Sequence, residues 1–281
     1  MSAGAIPFHL DLGARGRRFG LHHVPASPAR SCIVYVHPFA EEMNKSRRMA
    51  AACARALAAA GHAVLQFDLL GCGDSDGDLG DATWDDWVLD TIAAARWLQQ
   101  RHHQRLVFWG LRSGALIAAQ AASRMEQPTD FVFWQPAARG DPLLQQFLRL
   151  KVAAQLHGEE MRAKESTGAL RAALESGVSV EVAGYRLAPA LALGLSQASL
   201  QPPARSGAVA WFELSPRADA TLLPASAAAV ERWRSAGYRV EPRVLPGPSF
   251  WSTVEIEEAP ALVGATVAAL ATSVCQPEQV T

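Results

Sequence analysis

The chain has 281 residues, of which 49% are hydrophobic and 19% charged, and its formal net charge is −1 at pH 7. This composition is enough to bury a sizeable core, and it differs from that of disordered chains, which combine low hydropathy with high charge. The near-zero net charge argues against a nucleic-acid partner and against bulk attraction to anionic membranes. The length fits one large α/β domain that carries an insertion.

The sequence shows no targeting segment, membrane span or metal motif. The opening stretch MSAGAIPFHLDLGARGRRFG has no apolar core of signal-peptide length. No window reaches the roughly 18 uninterrupted apolar residues of a membrane helix. We therefore expect a soluble, cytoplasmic protein without a membrane span. The four cysteines show no paired spacing, so we expect no disulfide, no metal site and no cofactor.

The first part of the chain predicts a hairpin, a strand and a helix. Two short runs, 6–12 and 17–24, are separated by the glycines of a turn, as in an antiparallel hairpin. The β-branched run SCIVYVHPF, residues 31–39, is typical of a strand buried on both faces. The mixed charges of EEMNKSRR indicate a solvated helix start, with Asn44 or Ser46 as the cap and the helix running from about Ser46.

Further β-α units follow along the chain. A strand at 62–70 leads through the turn GCGDSDGD into a helix at about 83–100. RLVFWG, residues 105–110, is typical of a strand and 113–125 of a helix, and FVFWQP, residues 131–136, begins the next unit. Strands that alternate with amphipathic helices indicate parallel crossovers, so we predict an α/β fold with a doubly wound, mostly parallel sheet.

The alternation stops in one long segment. From 137 to about 203 the chain is rich in Leu and Ala, with a single short β-like piece. We interpret 137–203 as a helical cap inserted over the active edge of the sheet. The β-α rhythm returns at AVAWFEL, so the core domain is predicted to comprise 1–136 and 204–281.

Reactive groups in such a sheet gather beyond the carboxyl ends of the strands. At these ends, DLLGCGDSDGD resembles the D-x-x-G-x-G-x-S turn of the α/β-hydrolase superfamily, and VHPF stands where a His-Gly pair often closes the third strand. GLRSG, residues 110–114, occupies the nucleophile elbow of that superfamily. More narrowly, YVHPFAEEMNKSRRMAA together with GLRSGAL is similar to the group named exosortase A system-associated hydrolase type 2.

The resemblance implies an α/β-hydrolase fold with a helical cap. That narrower group is known mainly from bacterial gene neighbourhoods for exopolysaccharide export and PEP-CTERM protein sorting. It therefore implies a hydrolase of esters or thioesters, or an acyl-transfer enzyme, that associates with such machinery.

The resemblance also implies a triad in the chain order Ser, Asp or Glu, then His, and two positions depart from it. Arg112 stands at the serine position, and its guanidinium stays protonated and cannot attack a carbonyl. Asp219 is the candidate for the acid. Phe250 or Ser249 stands at the histidine position, and no histidine follows His157. The Ser-His-Asp mechanism is therefore excluded in its usual layout.

Arg112 has two interpretations. In the first, the guanidinium and the helix N-terminus together bind a carboxylate or phosphate of a small ligand beneath the cap. In the second, Arg112 pairs with Glu41, Glu42 or Asp219 and closes a dead pocket, since buried charges demand partners.

The other candidates are weighed in the same way. Ser113 is a substitute nucleophile only if its side chain turns away from the helix packing. His37, at the end of the third strand, is either a functional residue or a structural histidine bonded to a backbone carbonyl. The candidate catalytic residues are His37, Ser113 and Asp219, and the candidate ligand-binding residues are Arg112, Phe39, Glu41, Glu42 and Phe250.

Three functions remain open from the sequence. One is an active hydrolase or acyl-transfer enzyme with a non-standard site, for instance with His37 and Glu42 activating water. Another is a catalytically inactive hydrolase fold that binds an anionic small molecule or glycan intermediate through Arg112. The third is an interaction subunit of a polysaccharide or sorting enzyme.

Overall fold

A computed structural model describes residues 4–157, 165–217 and 219–273. In this part of the chain, eight strands form one sheet in the order β1-β2-β4-β3-β5-β6-β9-β10, and β7 and β8 form a separate hairpin. The strands are β1 Gly4–Asp11, β2 Arg17–Val24, β3 Cys32–Val36, β4 Ala63–Phe67, β5 Leu106–Leu111, β6 Asp130–Trp134, β7 Val180–Val182, β8 Tyr185–Leu187, β9 Ala208–Ser215 and β10 Arg239–Pro246.

Helices cover both faces of this sheet. They are α1 Glu41–Ala59, α2 Trp84–His102, α3 Ser113–Ser123, α4 Asp141–His157, α5 Thr167–Glu175, α6 Pro189–Gln197, α7 Pro224–Ser235 and α8 Pro260–Ser273. Strand β1 pairs antiparallel with β2, and β2 pairs antiparallel with β4. The remaining pairs of the sheet are parallel. The predicted hairpin and the doubly wound, mostly parallel sheet are both confirmed.

Strand β3 shows how the sequence builds a core on each face. Its side chains alternate between the faces, and all five residues are buried. Ile33 and Tyr35 belong to the core packed by α1 and α8, whereas Val34 and Val36 belong to the core packed by α2 and α3. A strand covered on both faces has no polar side, which explains the unbroken β-branched run.

The start of α1 differs from the prediction. The helix begins at Glu41 and not near Ser46, and neither Asn44 nor Ser46 caps it. The Ser46 hydroxyl instead donates to Met43 O inside the helix, at 3.0 Å. The first turn carries Glu41 and Glu42, whose negative charges are favourable at a helix N-terminus. The predicted solvated start is therefore wrong, because Glu42 is buried.

The segment between β6 and β9 contains α4, α5, the β7–β8 hairpin and α6 in its described part. An isolated bridge between Arg139 and Ser199 brings its two ends together. Helix α6 lies against α2 so closely that a Cβ on Gly194 would stand 2.2 Å from Trp84 Cβ. The mostly helical content agrees with the cap interpretation, and the domain boundaries at 136 and 204 stay a prediction. Among the described helices, none combines the length and apolar character needed to cross a bilayer.

Candidate functional site

The elbow is the sharp turn between β5 and α3, with Arg112 at its tip. Arg112 has φ 55° and ψ −116°, a conformation rarely adopted by residues other than glycine. The surrounding glycines make the turn possible. A Cβ on Gly114 would stand 2.1 Å from Val36 O, and one on Gly110 would stand 2.6 Å from the Ala115 backbone. Such a conformation costs about 1–3 kcal/mol and persists where neighbouring structure enforces it, often at functional sites.

The Arg112 guanidinium is held on one side by the start of α1 and by the cap. Its Nε and Nη2 donate to Glu42 Oε1 at 3.2 and 3.1 Å, and Nη2 also donates to Gln146 Oε1 at 3.2 Å. The Arg112 and Glu42 side chains are 16% and 7% exposed. Of the three carboxylates proposed as internal partners, Glu42 is therefore the one that forms the ion pair.

One edge of the same guanidinium stays open. Nη1 of Arg112 donates no hydrogen bond to any described residue, and it is not among the fully buried polar atoms. The guanidinium carbon lies 5.6 Å from the centroid of the Trp251 ring. The structure thus fixes the orientation of the side chain while leaving one N–H pair free to donate.

Glu41 lies next to this ion pair and is the least satisfied carboxylate at the elbow. Its Oε2 atom is buried and has no hydrogen-bond partner among the described residues. Burial raises the pKa of Glu41, opposed by a hydrogen bond to its own backbone N–H and by Lys45 and Arg112. Burial also raises the pKa of Glu42, and Arg112 opposes that rise. Desolvation is therefore the dominant electrostatic effect on both carboxylates.

The cap closes over these groups. They enclose a cavity of about 10 Å³, which is lined by Phe39, Glu41, Glu42, Leu143, Gln146 and Phe147. That space holds about one water molecule. Because Leu143, Gln146 and Phe147 belong to α4, any larger ligand at this end of the elbow requires α4 to move.

His37 is placed as a structural histidine. It is buried, its Nδ1 is 2.8 Å from Pro38 O, and its Nε2 accepts from Leu69 N at 3.2 Å. Both contacts are satisfied when Nδ1 donates, which leaves the ring neutral and without a free nitrogen. Burial lowers the pKa of His37. The idea that His37 activates water is therefore corrected, because neither nitrogen is available to take a proton.

Ser113 and Asp219 also lie apart from the guanidinium. The Ser113 side chain is fully buried at the start of α3, with an unpartnered Oγ, as expected if it points into the helix packing. Asp219 is 79% exposed and pairs with Arg217 at 3.4 Å. The buried carboxylate of this region is instead Glu213 in β9, which accepts from Trp211 Nε1 and Leu223 N. Neither the Ser113 hydroxyl nor the Asp219 carboxylate forms a hydrogen bond or ion pair with the Arg112 guanidinium.

The two aromatic candidates are packing residues in this structure. Phe250 is buried against Trp134 and Trp251, with ring centroids 6.1 and 5.1 Å away. It therefore fills the core at the predicted histidine position and does not present a face to a ligand. Phe39 is buried too, and it packs on Trp87 and Phe147 while lining the small cavity.

Sequence reasoning missed two residues of the site. Gln146 comes from the cap, and no motif marks it. Trp251 follows Phe250 in the loop after β10, and its position one residue beyond the histidine position was the only available signal. The residues now brought together are Arg112, Glu41, Glu42, Gln146 and Trp251, which we call the elbow site.

The sheet order, the strained strand-to-helix turn and the capping segment define an α/β-hydrolase fold. A family model described as serine aminopeptidase, S33, matches residues 27–181, which is more than half of the chain. The chain belongs to this hydrolase family. A comparison with curated protein sequences gave no match.

Solved structures of esterases and hydrolases share the fold. Est1E from Butyrivibrio proteoclasticus, with ferulic acid bound, superimposes with a TM-score of 0.69 at 14% identity, covering 96% of this chain and 100% of that one. A thermostable carboxyl esterase from Bacillus coagulans, in complex with glycerol, superimposes with a TM-score of 0.64 at 12% identity, covering 98% of this chain and 99% of that one. A serine hydrolase without a lid from Xanthomonas campestris superimposes with a TM-score of 0.59 at 17% identity, covering 99% of this chain and 98% of that one.

Proposed function

We propose that this member of the family binds an acyl-type small molecule, a carboxylate or its ester or thioester, at the elbow site, and that it does so without serine chemistry. The observation that carries the proposal is Arg112 itself. It occupies the place of the nucleophile in a strained conformation, and it is held so that Nη1 remains free to donate.

The charges around Arg112 define what it can hold. Glu42 already balances the guanidinium, so the pair has no net charge to attract a distant anion. Nη1 still offers a directed, charge-assisted hydrogen bond to a carbonyl or carboxylate oxygen at short range. The first turn of α3 adds backbone N–H groups that have no helical acceptor. A ligand with one acyl oxygen and a neutral or singly charged head group meets these requirements.

Binding is tested with butyrate and methyl butyrate as probes. We expect each to raise the melting temperature of the wild-type protein in a saturable manner. A variant that combines Arg112→Gln with Glu42→Gln keeps the shape of the pair without its charges, and should bind both probes about tenfold more weakly. Arg105→Gln with Asp130→Asn is the matched control, since it neutralises a second ion pair away from the elbow. Equal affinity in wild type and the elbow variant would contradict the proposal.

Hydrolysis by an activated water is the second candidate, and Glu41 is the observation that favours it. Its Oε2 is buried without a partner, and Glu41 lines a cavity with room for about one water molecule. A carboxylate with a raised pKa is suited to general-base catalysis. Turnover of p-nitrophenyl butyrate or butyryl thioester that Glu41→Gln abolishes, and that Ser113→Ala leaves intact, would support this candidate. Absence of turnover in the wild type would remove it.

The association with exopolysaccharide or protein-sorting machinery is proposed from the sequence resemblance alone. It predicts co-purification with a polysaccharide-export or sorting enzyme from a bacterium that carries both. Because such an association uses an outer surface, the complex should survive Arg112→Gln with Glu42→Gln. Failure to co-purify in a reciprocal experiment, with each protein tagged in turn, would count against it.

A further inference from the structure

A larger cavity lies on the other side of α1, away from the elbow site. Its volume is about 200 Å³. Strands β2, β3 and β4 and helix α1 contribute its lining, and neither Arg112 nor Glu42 lines it. We call it the α1 cavity.

The walls of the α1 cavity are mainly apolar. Phe19, Leu21, Met43, Ala50 and Phe67 contribute side chains from three different elements. For scale, an engineered cavity of about 150 Å³ lined by Leu, Ile and Phe binds benzene. The space therefore fits a compact apolar body such as one aromatic ring with a short substituent.

One buried hydroxyl in this wall has no partner. Tyr35 is 4% exposed, and its Oη is buried without a hydrogen bond to any described residue. The hydroxyl of Ser46 lies close to it, but it donates to Met43 O, and its contact with Tyr35 falls short of hydrogen-bond geometry. Leaving such a group unsatisfied costs about 1–3 kcal/mol. A ligand oxygen that reaches Tyr35 would recover this free energy, so the position of the hydroxyl selects a ligand with one polar atom.

The charges at the cavity cancel. Arg47 Nη2 lies 3.2 Å from Asp68 Oδ1, and both residues line the space. His37 also contributes to the wall, and both of its ring nitrogens are occupied by backbone groups. With no net charge facing the cavity, a charged ligand would lose its hydration without compensation. The ligand is therefore neutral.

We propose that the α1 cavity is a binding site for a neutral, mainly apolar small molecule whose single hydroxyl or carbonyl oxygen hydrogen-bonds to Tyr35. The site is independent of the function proposed for the elbow, because the two share no charged group that holds a ligand. Its occupancy would stiffen the packing between α1 and the sheet.

The test uses benzyl alcohol and toluene, two probes of similar size that differ in the hydroxyl. Binding is measured by the saturable rise in melting temperature and by ligand-observed NMR. We expect the wild type to bind both, and Tyr35→Phe to bind benzyl alcohol roughly 3- to 10-fold more weakly while binding toluene unchanged. Tyr238→Phe is the matched control, because Tyr238 is a buried tyrosine outside the cavity.

A second variant fills the space from its rim. Ala51 is half-buried and lines the cavity, so Ala51→Met should exclude both probes without disturbing the inner core. Absence of saturable binding of either probe to the wild type would overturn the proposal. So would undiminished binding to Ala51→Met, which would place the probes elsewhere. Equal affinity of wild type and Tyr35→Phe for benzyl alcohol would remove Tyr35 from the site.

Discussion

The elbow site and the α1 cavity lie on opposite sides of the first turns of helix α1. They differ in how their buried polar groups are hydrogen-bonded and in how much free space lies beside those groups. At the elbow, Glu42 and Gln146 hold the Arg112 guanidinium, Glu41 Oε2 has no partner, and the cavity has room for about one water molecule. In the α1 cavity, the Tyr35 hydroxyl is unsatisfied beside about 200 Å³ of space. The elbow is therefore a closed polar site, and the α1 cavity is an open apolar one.

This difference separates the two modes of binding. A ligand reaches the α1 cavity without breaking an ion pair, so its affinity depends on apolar contact and one hydrogen bond. A ligand at the elbow must displace α4 before it can accept a hydrogen bond from the free Nη1 of Arg112. Part of its binding free energy is spent on opening the cap, so we expect weaker apparent affinity there.

The largest effect is expected from breaking the elbow ion pair. Arg112→Leu leaves the Glu42 carboxylate buried without a cation, and should lower the free energy of unfolding by about 3–5 kcal/mol. The double variant Arg112→Leu with Glu42→Leu has no uncompensated buried charge, so its free energy of unfolding should fall clearly less than that of Arg112→Leu alone. Denaturant unfolding at pH 7 measures both. A single variant that is as stable as the wild type would show that the pair is not a closed polar site.

The pH dependence of stability should have opposite signs in the two regions. The pKa of Glu41 is raised above its ordinary 4.5, so its contribution to stability is full below about that pH and is lost as pH rises through the folded-state pKa. The pKa of His37 is lowered from 6.5, so its contribution is full above that pH and is lost as pH falls.

Two variants isolate these contributions. In the wild type, the unfolding free energy should fall as the pH rises above 4.5, and Glu41→Gln should make this fall smaller. It should also fall as the pH drops below 6.5, and His37→Gln should make that fall smaller. Denaturant unfolding from pH 4 to pH 8 would check both. A steeper profile in either variant would mean that burial is not the cause of the shift at that residue.

The smallest effect is expected at Tyr35. Its hydroxyl makes no hydrogen bond, so Tyr35→Phe should change the unfolding free energy by less than about 0.5 kcal/mol or stabilise slightly. Tyr238→Phe, whose hydroxyl donates to Arg205 O, should lose about 1 kcal/mol. If Tyr35→Phe lowers the unfolding free energy as much as Tyr238→Phe does, then the Tyr35 hydroxyl has a hydrogen-bond partner within the protein. It would then not be available to bind a ligand oxygen in the α1 cavity.

Local patterns were sufficient for most of the fold. The β-branched run of β3 and the alternation of strands and helices predicted a mostly parallel sheet, because these patterns depend on neighbours along the chain. The start of α1 was missed for the opposite reason. Glu42 is buried there by its pairing with Arg112, 70 positions away, and the letters EEMNKSRR contain no trace of that contact.

The site was predictable only in part. The elbow and its arginine follow directly from GLRSG, and Glu42 was among the partners considered for Arg112. The choice of Glu42 over Asp219, the contact from Gln146 in the cap and the core position of Phe250 depend on tertiary packing. The orphan hydroxyl of Tyr35 has no sequence signature at all, since a buried tyrosine usually finds a partner.

The most direct test of the central claim, that the elbow binds without serine chemistry, is the mass of the intact chain after incubation with a fluorophosphonate, a reagent that labels activated serines. A serine esterase of the same fold in the same tube serves as the positive control. Our account predicts full labelling of the control and an unmodified mass for this chain. A stoichiometric adduct on this chain that maps to Ser113, and that disappears in Ser113→Ala, would contradict it.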